Sequence, residues 1–476
     1  MASPIKFGTD GWRGIIAQDF TFDNVRLCAQ GVANHVMAAG LAHRGLIIGY
    51  DTRFASEDFA AAAAEVVAAN GIKAYLCSKA TPTPVIAHAI LMKKTSGAII
   101  ITASHNPAKW NGFKYRTEQA ISAPPEVIAE VERHIANILA PRSVKHISLD
   151  QGVKQGLVEM FDPSPSYISH IRKLVDIERL RHAGLKVIVD SMYGAGAGYF
   201  ATILKGGSTK VVEIHGERNP LFPGIQPEPI ASQLTQLSAM VKKREASVGL
   251  ATDGDADRIG IMDEKGNFIT PLQVFALLAL YLLELCGRRG AIIKTITSTS
   301  MLDHLEELFQ EVKVYEVPVG FKHVAPKMIA EDALIGGEES GGFAFRGHMP
   351  DRDGLLSGLY FLDLMVRKQK SPSQLVEYLY SKVGPHYYER IDIEFPPEEQ
   401  ETIIRRLSQS RPSYIDDLKL EKDVDTSDGF RFLLAGGTWL LIRFSGTEPV
   451  LRIYAEADSQ QRVSRLIAQG RKMAGV

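Results

Sequence analysis

Little in the chain would staple it, anchor it or commit its charge to one partner. Among 476 residues only Cys28, Cys77 and Cys286 are cysteine. They are too few and too far apart for a disulfide framework or a zinc cluster, and they suit a reducing compartment as small buried apolar side chains. Charge of one sign is missing as well: 54 Lys and Arg stand against 55 Asp and Glu, a formal net charge of -1. That balance excludes a surface basic throughout, so no nucleic acid or anionic bilayer is expected to cover the protein, although local basic pockets are allowed. Long apolar runs are absent too. The most apolar stretch, Pro271 to Cys286, is too short to span a bilayer and contains Gln273 and Glu284, so it reads as a packed helix. The start, Met1-Ala2-Ser3-Pro4-Ile5-Lys6, lacks a signal-peptide core before Asp10. The expectation is a cytoplasmic protein.

What is present is an ordinary globular composition, 45% hydrophobic and 23% charged, in a chain too long for a single core. Strand and helix patterns alternate through residues 1–158. Leu46 to Tyr50 reads as a strand leading to Asp51-Thr52-Arg53, Ser56 as the cap of an alanine-rich helix that Gly71 stops, and Ala98-Ile99-Ile100-Ile101 as a buried strand. A second unit, 159–264, runs from the strand Leu185 to Val189 into Ser191 to Gly198. Its Gly196-Ala197-Gly198 lacks the GxGxxG spacing of a dinucleotide site and reads as close packing. That unit ends with the strand Ser247 to Ala251, which runs into Asp253-Gly254-Asp255-Ala256-Asp257-Arg258. A third unit, 265–383, includes strands Ala291 to Ile296 and Val312 to Val317, and ends a further strand in Gly337 to Gly342. Each unit places a polar, Gly-containing loop after a short apolar strand, as a distant repeat of one architecture would. The last region, 384–476, follows Gly384-Pro385 and reads as a small α+β domain. The fold class is therefore α/β: three related sheet domains plus a smaller C-terminal domain.

Chemistry gathers in the loops. Thr102-Ala103-Ser104-His105-Asn106-Pro107 follows a buried strand, where ligands of α/β sheets sit, yet alone it could be a mere connection. Asp253, Asp255 and Asp257 alternate along an extended segment and point to one side. Two bare carboxylates about 4 Å apart repel by roughly 4 kcal/mol at an effective dielectric of 20, so three converge sensibly around a hard divalent cation such as Mg²⁺, which shares its shell readily with phosphate. Arg443, Ser445, Gly446 and Thr447, with Arg452 on the next strand, form a candidate anion cradle. Glu338 and Ser340 can hydrogen-bond sugar hydroxyls, and Lys322 near a helix start can meet an anion. His105 and His323 are eligible bases, although a lone histidine is more often structural. Ser104 has no GxSxG elbow and no ordered triad, which argues against a serine hydrolase. A metal loop and an anion cradle suit phosphoryl transfer instead.

Taken together, these loops resemble the α-D-phosphohexomutase superfamily, of the phosphoglucomutase/phosphomannomutase type. The resemblance rests on Phe7 to Gly14, Thr102 to Pro107 with Asn111-Gly112-Phe113-Lys114, Asp253 to Arg258, Gly337 to Gly342 and Arg443 to Pro449, in the family's order along nearly the whole chain. It implies four domains around a central cleft and an isomerase working on small hexose phosphates, as a monomer or homodimer. It implies that Ser104 is a phosphoserine and that Asp253, Asp255, Asp257 and the seryl phosphate hold Mg²⁺. Glu338 and Ser340 would read sugar hydroxyls, and Arg443, Ser445, Gly446, Thr447 and Arg452 the substrate phosphate. Arg13, His105 and Lys114 match positions near the phosphoserine, with Lys114 the candidate acid/base. Lys322 matches a lysine that reaches substrate, and Arg258 a residue that positions the transferring group. A bisphosphorylated hexose, glucose 1,6-bisphosphate, would be both intermediate and activator. Glu338-Glu339-Ser340 and His348 to Gly354 look like the glucose-phosphate branch. This favours an α-phosphoglucomutase over a phosphomannomutase or dual-specificity enzyme, and both over a phosphoglucosamine mutase or a noncatalytic sugar-phosphate binding protein.

Overall fold

The computed structural model describes residues 5–138, 144–410, 412–422, 424–426, 428–444 and 450–476. Three α/β sheets and one antiparallel sheet follow each other along the chain. The first sheet has the order Trp12–Ile15, Trp110–Thr117, Gly97–Ile101, Leu46–Tyr50, Ala74–Cys77, Val158–Phe161. Its inner strands pair in parallel, and Trp110–Thr117 runs antiparallel to both neighbours. Gly97–Ile101 is buried at every residue, which explains its unbroken apolar run; each isoleucine there contributes about 2 kcal/mol of burial.

The second sheet has the order Phe268–Ile269, Ile259–Met262, Val248–Thr252, Lys186–Asp190, Lys210–Ile214, and the third Val312–Val317, Gly290–Thr295, Ile335–Gly337, Phe343–Phe345. The first sheet reaches Phe161 and the second Ile269, a few residues past the divisions expected at 158 and 264. The second and third units share one core: Tyr167, Val187, Phe200, Ile259, Phe275 and Leu359 belong to a single buried cluster. Pro271–Leu280 is the expected packed helix. A reciprocal cap between Thr270 and Gln273 starts it, and eight of its ten residues are buried.

The last sheet, Tyr387–Glu394, Val450–Ala457, Trp439–Phe444, Phe430–Leu433, is antiparallel throughout. It has its own core, packed under the terminal helix Gln460–Ala474. Glu456 fixes it to the third unit by accepting from Ser300 N at 2.8 Å and Ser300 Oγ at 2.5 Å, and Asp428 does so by accepting from Val319 N at 2.9 Å.

Ser56 does not cap its helix. Ala55, in the left-handed region, precedes the helix Ser56–Ala69, and Ser56 Oγ donates instead to Asp51 Oδ1 at 2.9 Å. A nearby buried carboxylate outcompetes the backbone for the hydroxyl. Cys28 and Cys77 are buried and Cys286 half-buried, all with free thiols. No helix among the described residues is long and apolar enough to cross a membrane.

Candidate active site

The buried strand Gly97–Ile101 delivers Thr102 to Pro107 to the edge of the first unit, and Trp110–Thr117 returns beside it with Ile100 opposite Lys114. Ser104 is buried and adopts φ 52°. Its N–H donates to Thr102 Oγ1 at 2.8 Å, and its Oγ donates to Asp253 Oδ2 at 2.8 Å. Asp253 to Arg258 form the loop of a hairpin whose strands, Val248–Thr252 and Ile259–Met262, pair antiparallel. The approach of the two loops is close. A Cβ on Gly254 would lie 2.4 Å from the Ser104 carbonyl oxygen, and one on Gly194 would lie 2.8 Å from that of Asp253, so only glycine fits either position. Of the glycines read as close packing, Gly196 fits, since a Cβ there would lie 2.6 Å from Thr252 Oγ1, whereas Gly198 has open space around it and serves its left-handed backbone at φ 79° instead.

Asp253, Asp255 and Asp257 are buried and offer carboxylate oxygens within 4.8 Å of one another. Asp255 Oδ1 and Asp257 Oδ1 have no hydrogen-bond partner among the described residues. Buried, converging and partly orphaned carboxylates are the donor set of a hard divalent cation, so the residues fit the metal that the resemblance implies. Their acidities are pulled apart. Burial and the charges of Asp255 and Asp257 push Asp253 well up. Burial also raises Asp257 despite the pull of Arg352. For Asp255 burial is outweighed by Lys114, which brings it below the usual carboxylate range.

Lys114 is fully buried. Its Nζ lies 2.8 Å from both Asp10 Oδ2 and Asp255 Oδ2, and 3.8 Å from Asp257 Oδ2. Burial alone would lower this amine, but Asp10, Asp255 and Asp257 raise it, so the side chain is a held cation. Thr83 Oγ1 also donates to Asp255 Oδ2, at 2.7 Å. His105 Nδ1 lies 3.3 Å from Ser104 Oγ. Its imidazole is held well below the usual range, first by burial and then by Arg258 and Arg13, so it is neutral. Arg13 donates to Asn106 Oδ1 in the same loop. Arg258 Nη1 reaches Glu228 Oε1 at 3.2 Å, and its N–H donates to Asp253 Oδ1 at 3.1 Å.

The third unit closes the network. Arg352 Nη2 lies 2.8 Å from both Asp10 Oδ2 and Asp257 Oδ2, and its Nη1 lies 3.4 Å from Glu338 Oε2. Gly320 N donates to Glu338 Oε1 at 3.1 Å, which sets the start of the helix carrying Lys322 beside the loop Gly337 to Gly342. Burial raises Glu338 to about 7, against the pull of Arg352. Lys322 lines a cavity of about 210 Å³ with Thr9, Asp10 and Arg116. Ser340 lies in the turn that Gly341 N closes on Glu338 O at 3.2 Å, and Ile259 N donates to Gly341 O at 3.0 Å, so this turn rests on the end of the acidic loop. Arg443 and Arg452 face each other across neighbouring strands. Arg443 Nε donates to Asp428 Oδ1 at 3.0 Å, and Arg452 Nε lies 3.5 Å from Asp392 Oδ2. Ser445, Gly446 and Thr447 lie outside the described residues. Among the described residues, the side-chain partners of Ser104 Oγ are Asp253 and His105, not His323.

Sequence reasoning missed Asp10, Arg53, Arg116 and Arg352. Arg116 Nη1 donates to Asp10 Oδ1 at 2.7 Å, and its Nε lies 2.5 Å from Asp351 Oδ2. Asp10, Asp351 and Arg352 stood within motifs recognised for other reasons, and only their mutual contacts give them roles.

Domains I, II and III and the C-terminal domain of the phosphoglucomutase/phosphomannomutase family match residues 4–142, 165–266, 270–383 and 404–472. The chain is a member of that family. The structure of a putative phosphomannomutase from Thermus thermophilus is similar, with TM-score 0.86 and 32% identity over 100% of both chains. A probable phosphoglucosamine mutase of Methanothermobacter thermautotrophicus is 29% identical over 96% of this chain and 95% of its own. A phosphoglucomutase/phosphomannomutase of Thermococcus kodakarensis is 29% identical over 98% of both. This phosphohexomutase is accordingly an isomerase that transfers phosphate within a sugar, on the four-domain α/β fold that the sequence predicts.

Proposed function

We propose that the protein interconverts glucose 1-phosphate and glucose 6-phosphate through phosphorylated Ser104 and a glucose 1,6-bisphosphate intermediate. The observation that carries this reading is the 2.8 Å hydrogen bond from Ser104 Oγ to Asp253 within a buried acidic triad. A hydroxyl so placed, beside a site that suits a divalent cation, is useful as a carrier of phosphate. Asp253, Asp255, Asp257 and the seryl phosphate would hold Mg²⁺, which supplies neutralisation of phosphate charge. Lys114, Arg13 and Arg258 add positive charge around the transferring group, and of the proposed acid/base roles the held cation of Lys114 suits that of the acid. His105, a half-buried neutral imidazole, orients Ser104 Oγ. Glu338 and Ser340 take the sugar hydroxyls, Lys322 reaches the substrate, and Arg443, Ser445, Gly446, Thr447 and Arg452 take the phosphate not being transferred.

In the forward step the sugar's free hydroxyl attacks the seryl phosphorus. The new sugar O–P bond forms as the Ser104 O–P bond breaks, and the hydroxyl proton ends on Ser104 Oγ. The bisphosphate then turns and returns its other phosphate to the serine by the reverse chemistry. Four units divided near 161, 269 and 384 would enclose it, the last hinged at Gly384-Pro385.

Glucose is supported by Glu338-Glu339-Ser340 and by the His348 to Gly354 segment, whose Arg352 holds Glu338. The name of the Methanothermobacter relative favours glucosamine phosphates as the second reading. Comparing kcat/KM for glucose, mannose and glucosamine 1-phosphates, each with its own bisphosphate activator, decides between them. Glucose is expected to lead by about 10-fold, the worth of one well-made hydrogen bond. Equal values for glucose and mannose, or a lead for glucosamine, contradict glucose specificity.

A further inference from the structure

Ser104 is held in an uncommon backbone state. Its φ of 52° is left-handed, a conformation that costs a residue with a Cβ about 1 kcal/mol. Something must fix it. The Thr102 hydroxyl takes its N–H, and a buried guanidinium takes the carbonyls. Arg53 Nη2 donates to Ser104 O at 2.7 Å and Asn106 O at 2.5 Å, and Arg53 Nη1 donates to Pro107 O and Trp110 O, each at 3.0 Å.

Three of the four acceptors belong to the loop that carries Ser104, and the fourth, Trp110 O, opens the strand that follows it. Without Arg53 they would be carbonyl oxygens at a buried site lacking these donors, each a desolvation cost. Arg53 itself is 0% exposed, so it touches no substrate. Its counterion is Asp51, with Oδ2 3.2 Å from Nε. Asp51 Oδ1 is fixed in turn by Arg53 N at 2.9 Å and Ser56 Oγ at 2.9 Å, and Ser56 Oγ accepts from Asn111 Nδ2 at 2.9 Å. Phe222 of the second unit covers the guanidinium, its ring centre 5.0 Å away. The planar fork is rigidly mounted before it meets the loop.

We propose that Arg53 is the positioning residue of the phosphocarrier: it sets the left-handed turn that aims Ser104 Oγ at the acidic triad. The inference rests on the reading of Ser104 as that carrier. A lysine keeps the charge but presents donors from a single nitrogen, which cannot span four carbonyls. A misplacement of the nucleophile of about 1 Å costs on the order of 100-fold in rate.

Arg53→Lys, Arg53→Gln and Arg53→Met, in the full chain with Mg²⁺, are to be assayed for folding by circular dichroism and for kcat and KM with glucose 1-phosphate. Single-turnover phosphorylation by glucose 1,6-bisphosphate is followed by intact mass. The expected result is a folded Arg53→Lys protein whose kcat and phosphorylation rate fall together by about 100-fold while KM stays within about 2-fold. Folded variants with wild-type kcat overturn the proposal. A KM rise that matches the kcat loss, or failure of all three variants to fold, overturns it too and leaves Arg53 a purely structural residue. Ser104→Ala is the control. If it retains turnover, the reading of Ser104 fails; if it is inactive while the Arg53 variants are active, only the proposal for Arg53 fails.

Discussion

At the Ser104 end of the cleft, Arg53, Lys114 and Arg116 are between 0% and 1% exposed, and each is tied to groups from separate stretches of chain. In the C-terminal sheet Arg443 and Arg452 keep 14% and 23% of their side chains accessible and pair with Asp428 and Asp392, which are 24% and 41% exposed. The first group is fixed mostly by charges shielded from water: Asp51, Asp255 and Asp351 are each 1% exposed, and Asp10 is 13% exposed. The second is set in a higher dielectric, where an ion pair is weak and exchanges readily for a ligand phosphate. The difference suits the proposed cycle: one end keeps the transferring phosphate in register, while the other releases and regrips a sugar that has turned around.

Three substitutions bear on that contrast. Lys114→Ala should cost about 3–5 kcal/mol of stability, because it leaves the buried Asp255 and Asp257, and the half-buried Asp10, without their shared cation. Urea midpoints measure it, and a loss no larger than that of Arg443→Ala would erase the distinction. The next effect depends on pH. His88, His170 and His348 come from three units and stack with ring centres 4.8 to 6.2 Å apart. Lys173, Asp353 and Tyr167 face the same group.

Burial, then His170 and His348, lowers His88 from 6.5 to about 4. Between those values the unfolded chain binds the proton and the folded one does not. The stability from His88 is therefore complete above 6.5, and about 3 kcal/mol of it is lost as pH falls toward 4. His88→Leu should flatten that acid limb in thermal melts from pH 7 to about 4, and an unchanged limb would remove His88 from the account. Smallest is Arg443→Ala, expected to raise KM for glucose 1-phosphate by about 10-fold with thermal stability nearly unchanged. A large loss of stability with KM intact would make Arg443 structural.

The acidic triad was legible because its carboxylates lie two residues apart: Asp253, Asp255 and Asp257 converge within one short loop. The serine loop was legible for the same reason. The cations that organise them were not, since Asp10 meets Arg116 and Arg352 across 106 and 342 residues, and no local period reports such a pairing. Arg53 was visible only as a residue after a strand. Its meaning lies in four backbone carbonyls, which carry no sequence signal. Ser56 misled because a side-chain acceptor that the helix rule does not consider took its hydroxyl. The shared core of the second and third units was hidden similarly, as apolar periodicity says which face is buried but not against which neighbour.

The central claim is that phosphate resides on Ser104. Incubating the protein with glucose 1,6-bisphosphate and Mg²⁺, then mapping phosphopeptides, tests it directly. The account predicts one phosphoryl group per chain on the peptide containing Ser104. It also predicts no label in Ser104→Ala and a turnover loss there of about 10⁴-fold or more. Phosphate on another residue, or a Ser104→Ala protein turning over at the wild-type rate, would contradict it.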